Sequence, residues 1–253
     1  MKCFSSLLFL VVFSFVFGQS ISWVVASDFH YYSAELGTNG KAFETYLAND
    51  RKLLRESQQL LDAWIADVMK LDIQFVIVPG DLTKDGEMIN HLAVRNALRK
   101  LKDTHPNHPK IFVIPGNHDL NNPEAYRYSE DRTEPVDFLS SEDFASFYEE
   151  FGYKNAFSQD PSSLSYAAII TSNLWLVALD STINESNRML KHPVTEGRLK
   201  PQTLSWLQMI AEKAQKEGAL LLLMMHHGLF EHWPGQRKLH PEYLLNNRRE
   251  LAS

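Results

Sequence analysis

Four apolar runs along the chain end in the same way. "ISWVVASDFH" gives way to Asp28 and His30, and "IQFVIVPGD" to Gly80 and Asp81. "KIFVIPGNHD" closes on Asn117, His118 and Asp119, and "ALLLLMMHHG" on His226 and His227. Each run is short, rich in Val, Ile, Leu or Phe, and stopped by Gly, Pro or a polar side chain. A strand buried on both faces reads this way. Helical spacing fills the gaps. Leu53, Leu54, Leu60, Leu61, Trp64, Ile65 and Val68 recur at three- and four-residue steps, which predicts an amphipathic helix over 50–70. Leu92, Ala97 and Leu101 predict a weaker one over 87–102. Pro201 suits a first helical turn, and Leu204, Leu207, Ala211 and Ala214 carry that helix to Gly218.

Strand alternating with helix implies right-handed crossovers and a mainly parallel sheet, an α/β fold. One segment departs from the alternation: "SLSYAAII" and "LWLVALD" flank a turn-like Thr171-Ser172-Asn173, which predicts an antiparallel hairpin. Residues 121–160 are polar and aromatic, with a short helix expected from Glu142 to Phe151. They are too few to bury a core of their own, so they read as an insertion lying over the site.

Parallel strands present their C-terminal ends to one edge, where ligands of open α/β sheets bind. The polar endings of four distant runs can therefore meet. Asp, His and Asn offer oxygen and imidazole ligands that suit manganese, iron or zinc. Asp28 and His30 are two apart, which on an extended segment places both on one face. Asp81 follows a glycine that permits a tight turn and leaves the carboxylate free to bridge two ions. Asn117 offers an amide oxygen and His226 a ring nitrogen. Taken singly, Asp-x-His, Gly-Asp and His-His are common surface or turn sequences. Gly-Asn-His-Asp is much rarer, and the four endings in this order leave the plain structural explanation little room.

The chain has 253 residues, 44% hydrophobic and 22% charged, enough for one domain with a full core. A net charge of -6, with no basic cluster beyond Arg248 and Arg249, disfavours nucleic acid as partner and a nuclease as function. Residues 1–20 carry Lys2, an apolar stretch from Phe4 to Phe17 and a small or polar end, the form of a secretory signal peptide. An uncleaved signal anchor is the alternative, and no stable membrane span is expected after cleavage. Residues 21–253 would then form the mature domain, secreted or periplasmic. Cys3 is the sole cysteine, so the mature chain would contain no disulfide. Asn184-Glu185-Ser186 is a glycosylation sequon if the host is eukaryotic. Tyr126, Tyr128, Phe230 and Trp233 follow site motifs and either stack on a base or pack the insertion. Asp180 ends a strand and reads as a support, not a ligand.

Asp28-Phe29-His30, Gly80-Asp81, Gly116-Asn117-His118-Asp119 and Met225-His226-His227 together resemble the calcineurin-like metallophosphoesterase superfamily. "PGDLTKDGE" is similar to secreted members. The resemblance implies a four-layer αββα fold with two mixed β-sheets. It also implies two divalent or trivalent metal ions (manganese, iron or zinc) that activate a hydroxide against phosphate mono- or diesters. By position, Asp28 and His30 would bind the first metal, Asp81 would bridge, and Asn117 and His226 would bind the second. His118 would face the phosphate as the catalytic residue, with Asp119 as its partner. The family's closing Gly-His-x-His is missing: His240 stands in "RKLHPEY" without it. The expectation is a C-terminally truncated domain with weak metal retention and poor activity. A non-catalytic binding protein that keeps the fold remains the alternative.

Overall fold

A computed structural model describes residues 20–251. The N-terminal segment read as a signal peptide lies almost wholly outside these residues. Among them no helix is long and apolar enough to cross a membrane.

In chain order the principal elements are β1 (Trp23–Val25), α1 (Lys41–Asn49), α2 (Ser57–Val68), β2 (Phe75–Val78), α3 (Met88–Thr104), β3 (Lys110–Val113), β4 (Tyr126–Ser129), β5 (Arg132–Pro135), α4 (Ser141–Phe147), β6 (Ser158–Gln159), β7 (Tyr166–Thr171), β8 (Leu174–Leu179), α5 (Asn187–Leu190), α6 (Pro201–Glu217) and β9 (Leu220–Met225). One sheet has the order β1-β2-β3 and another β6-β7-β8-β9, with β4 and β5 a separate hairpin. The first sheet is parallel throughout its described strands, so "mixed" holds only for the second. There, β7 runs antiparallel to β8, as the turn-like break predicted, and β9 pairs parallel with β8.

Period-two alternation builds the layers. On β7 and β8, Tyr166, Ala168, Leu176 and Ala178 join the main core, which also holds Phe75, Ile77 and Phe112 of the first sheet. The intervening Ala167, Val177 and Leu179 pack instead with Trp206, Leu207 and Ile210 of α6. On the far side of the first sheet, Leu61 and Val68 of α2 and Val94, Leu98 and Leu101 of α3 close the core. The result is helix, sheet, sheet, helix. Leu98 is fully enclosed, so truncating it to alanine would cost about 2–5 kcal/mol. Helix α6 starts with Pro201 and stops at Gly218, whose φ of 68° suits a residue without a Cβ.

Burial on both faces holds for β2, whose four residues are all buried. The outer strands differ: Val25 is 53% exposed on β1 and Leu220 70% on β9. The helix expected over 50–70 begins later, after a 3₁₀ turn at Leu54–Glu56, and residues 50–53 form a loop. The segment 121–160 supplies Leu139, Phe144, Tyr148, Phe151 and Tyr153 to the main core and has none of its own. Its helix α4 is shorter than expected, ending at Phe147.

Candidate metal centre

The ends of β1, β2, β3 and β9 meet at one rim, with β9 arriving from the second sheet. The backbone there is unusual. Asp28, His30 and Asp81 have φ of 58°, 41° and 50°, a region that non-glycine residues seldom enter. Asp28 and His30 therefore do not share the face of an extended segment. Their turn is held by backbone bonds, Asp28 N–H to Gly80 O at 3.1 Å and His30 N–H to Asp81 O at 3.0 Å. The loops after β2 and β3 also pass in close contact. A Cβ on Gly80 would sit 2.4 Å from Gly116 N, and one on Gly116 would sit 2.2 Å from Asp81 Oδ1. Only glycine at both places lets the Asp81 carboxylate lie over the second loop, where it accepts the His118 N–H at 3.0 Å.

Around Asp81 the expected side chains converge. Its Oδ2 lies 3.5 Å from His30 Nε2 and 3.5 Å from His226 Nε2. His30 Nε2 lies 3.8 Å from Asp28 Oδ1, and His226 Nε2 lies 3.0 Å from Asn117 Oδ1. Asp28, Asp81 and His226 can bring ligand atoms within 4.8 Å of one another, as can His30, Asp81 and His118. His226 Nδ1 sits 3.0 Å from the Pro79 carbonyl, which can only accept, so Nδ1 carries the hydrogen. In the neutral ring, Nε2 is then a lone pair facing an amide oxygen and a carboxylate oxygen. Ring nitrogen, amide oxygen and carboxylate oxygen would then form a set of lone pairs that a cation can satisfy. His30 Nδ1 is buried without a hydrogen-bond partner.

The electrostatics agree. Burial, followed by the His118 ring and Lys52, pushes the His30 pKa down to about 2, leaving its ring a neutral ligand. Burial raises the Asp81 pKa against the pull of His226 and His118. A metal ion beside the carboxylate would reverse that shift.

His227 faces elsewhere. It accepts from the Ser181 hydroxyl at 2.7 Å and donates to Thr195 O at 2.8 Å. Burial, with His226 adding to it, lowers its pKa to about 4. This is a satisfied core histidine, and His226 is the one on the rim.

Two expectations need correction. Asp119 is not the partner of His118. Its carboxylate accepts four donors, the N–H groups of Leu82 (3.1 Å), Thr83 (3.0 Å) and Gly116 (2.9 Å) and the Thr83 hydroxyl (3.0 Å). It ties the two loops together. His118 Nδ1 instead bonds Asp85 Oδ1 at 2.7 Å. Asp85 is buried, and Lys84, itself 1% exposed, pairs with it. Burial alone would raise the Asp85 pKa, but the His118 hydrogen bond and the Lys84 charge outweigh it and bring it to about 2. Burial would likewise lower the His118 pKa, but Asp81 and Asp85 hold it above its ordinary value. The signal for Asp85 was present in "TKDGE": a lysine and two acids packed into a loop beside an apolar strand.

The second correction concerns the cover. The open cavity above the centre measures about 690 Å3, and no residue of 121–160 lines it. Residues 49–53 line it instead, together with Phe29, Leu60, Thr195 and Tyr243. Tyr128 is buried against Tyr32 and Phe43, and Phe230 is 70% exposed away from the cavity. Asp180 is buried and bonds Thr182, supporting its strand end. Asn184 is 8% exposed, with its amide engaged by Thr182 and Asn121, so it is closed to a glycan.

The sequence matches the family model described as calcineurin-like phosphoesterase over residues 22–250. The chain belongs to that family. As a calcineurin-like phosphoesterase it is a metal-dependent phosphoric ester hydrolase. Among solved structures, a dimetal phosphatase from Danio rerio is similar, with a TM-score of 0.54 and 16% identity over 92% of this chain and 76% of that one. Identity that low speaks for the fold alone. A comparison with curated proteins gives no match.

Proposed function

We propose that this phosphoesterase hydrolyses phosphate mono- or diesters at a centre of two metal ions. Asp28 and His30 would hold one ion, Asn117 and His226 the other, and Asp81 would bridge them. Such a pair, when bound, clamps an in-line displacement at phosphorus and acidifies water for the attack. The single observation that carries the proposal is the meeting of Asp81 Oδ2 with His30 Nε2 and His226 Nε2, both at 3.5 Å, from three separate strands.

The chain's own residues supply the rest. Asp85 accepts the Nδ1 hydrogen of His118, which leaves Nε2 free to face the cavity. A protonated His118 can stabilise charge on the phosphoryl group and give its Nε2 proton to the departing oxygen. The Asp85 carboxylate and the buried Lys84 fix the tilt of that ring. Phe29 and Leu60 keep part of the cavity wall apolar.

The test is turnover of an aryl phosphate monoester and diester by manganese-loaded protein, with His118→Asn beside it. The proposal expects hydrolysis that the variant loses by about 100-fold or more. Turnover in both no faster than that of manganese alone would mean that the fold binds its ligand without performing the reaction, and equal rates above that background would refute the role of His118. Residues 1–20 are proposed to direct export. N-terminal sequencing of the cell-free protein should then start near residue 21, and an intact Met1 would refute this.

A further inference from the structure

Resting on the hydrolase proposal, we infer that Lys52, in the loop after α1, binds the phosphoryl group of the substrate and biases the site towards dianionic monoesters over monoanionic diesters. The lining of the cavity falls into two walls. One carries the metal-binding set and His118; the other is residues 49–53. Only Arg51 and Lys52 bring permanent positive charge to the cavity lining. Asp50 subtracts one charge from that wall, which leaves it positive.

The environment of Lys52 is unlike that of a surface lysine. Its side chain is only 14% exposed. Its ammonium is held only by long contacts: it pairs with Asp50 Oδ2 and donates to the Tyr46 hydroxyl, both at 3.4 Å, near the outer limit of a hydrogen bond. Asp50 is better satisfied by others, accepting the Tyr46 hydroxyl and the Lys52 backbone N–H, each at 2.8 Å. The carboxylate therefore orients the loop and leaves donor capacity on Nζ. The charge also reaches the centre, since Lys52 acts electrostatically on His30, His118 and Asp85.

A phosphoryl group seated between the walls would have its inner oxygens towards the metal-binding residues. A remaining terminal oxygen would meet Lys52. A monoester dianion carries its second charge there; a diester has an ester substituent in that place. The ammonium thus rewards the extra charge. The aliphatic stem of Lys52 and the nearby Leu53 can contact the leaving group.

The experiment uses manganese-loaded protein and two readouts. Calorimetry gives the Kd for orthophosphate, and kinetics give kcat and KM for an aryl phosphate monoester and a bis-aryl diester. Lys52→Met keeps the stem and removes the charge; Lys52→Arg keeps the charge. The methionine variant should weaken orthophosphate by about tenfold, the size expected of one charge-assisted hydrogen bond. Monoester kcat/KM should fall by a similar factor through KM, with the diester changed less, and arginine should restore both. An unchanged Kd and an unchanged monoester-to-diester ratio in Lys52→Met overturn the inference while wild-type turnover stands. Absence of turnover in the wild type, with orthophosphate still held in a Lys52-dependent way, refutes the hydrolase proposal and leaves the anion site supported.

Discussion

Replacing Asp85 by asparagine exchanges one oxygen for an NH2 and removes one buried charge. In the wild type that carboxylate accepts from His118 at 2.7 Å and pairs with Lys84. A carboxyl moved from its ordinary 3.8 to about 2 contributes on the order of 2 kcal/mol at neutral pH. The sign follows from the direction. The folded pKa is depressed, so this stability is present above about pH 4 and is lost as pH falls towards 2. Asparagine removes it wherever the wild type has it, above about pH 4. It also leaves Lys84 with Glu87 at 3.7 Å, the Tyr46 ring at 4.4 Å and the Tyr128 ring at 5.6 Å as its remaining support. Glu87 limits the damage, so the total should be about 2–4 kcal/mol, short of the full cost of an orphaned buried charge. At roughly 2–4 °C per kcal/mol for a domain of this size, Tm should drop by about 4–16 °C.

Activity should fall further than stability. The amide still fits, but it no longer favours the protonated ring. kcat should fall by about 100-fold or more, and the loss should be greater for an alkyl phosphate than for a nitrophenyl phosphate, whose leaving group needs little proton transfer. Bound metal, measured by elemental analysis, should not change. In a His118→Asn background, Asp85→Asn should add almost nothing, since the two act as one unit. The reasoning fails if metal content falls in step with activity, or if the losses in the double variant multiply.

Further outcomes follow from the same geometry. Gly116→Ala places a Cβ 2.2 Å from Asp81 Oδ1, so it should displace the central carboxylate and lower the metal content of purified protein; full occupancy would show that the loops can part cheaply. His227 is buried neutral with a pKa of about 4, so below about pH 6.5 the unfolded chain takes up a proton that the folded chain does not. Stability should therefore fall as pH drops from about 6.5 to 4, by at most about 3 kcal/mol from this residue, and denaturant titrations of His227→Gln should show a flatter pH slope. Adding manganese to metal-stripped protein should raise Tm in a concentration-dependent way, and a Tm indifferent to the metal would argue against binding to the native state.

The sequence exposed the rim because its chemistry is punctuated: apolar runs stop at Asp28, Asp81, Asn117 and His226, and parallel strands bring such stops together. It also distinguished His226 from His227, and the end of the strand aims the first ring at Asp81 and the second at Ser181. Loops were less legible. Asp119 stands next to His118 in sequence, yet the turn sends its carboxylate back to three backbone N–H groups. Asp85 reaches His118 only through the folded path of "TKDGE", where Gly86 has a φ of 79°. Residues 49–53 have no motif, and their place on the cavity wall depends on where α1 ends and α2 begins. The left-handed backbone of Asp28 and His30 is also invisible to a count of spacing, because local propensity disfavours it and the surrounding loops impose it.

All of these expectations rest on carboxylate, imidazole and amide groups meeting around a pair of ions. Anomalous scattering at the manganese edge, from crystals soaked in manganese, addresses that directly. The account predicts two peaks that share Asp81, one beside Asp28 and His30 and the other beside Asn117 and His226. A featureless map around Asp81 would contradict it.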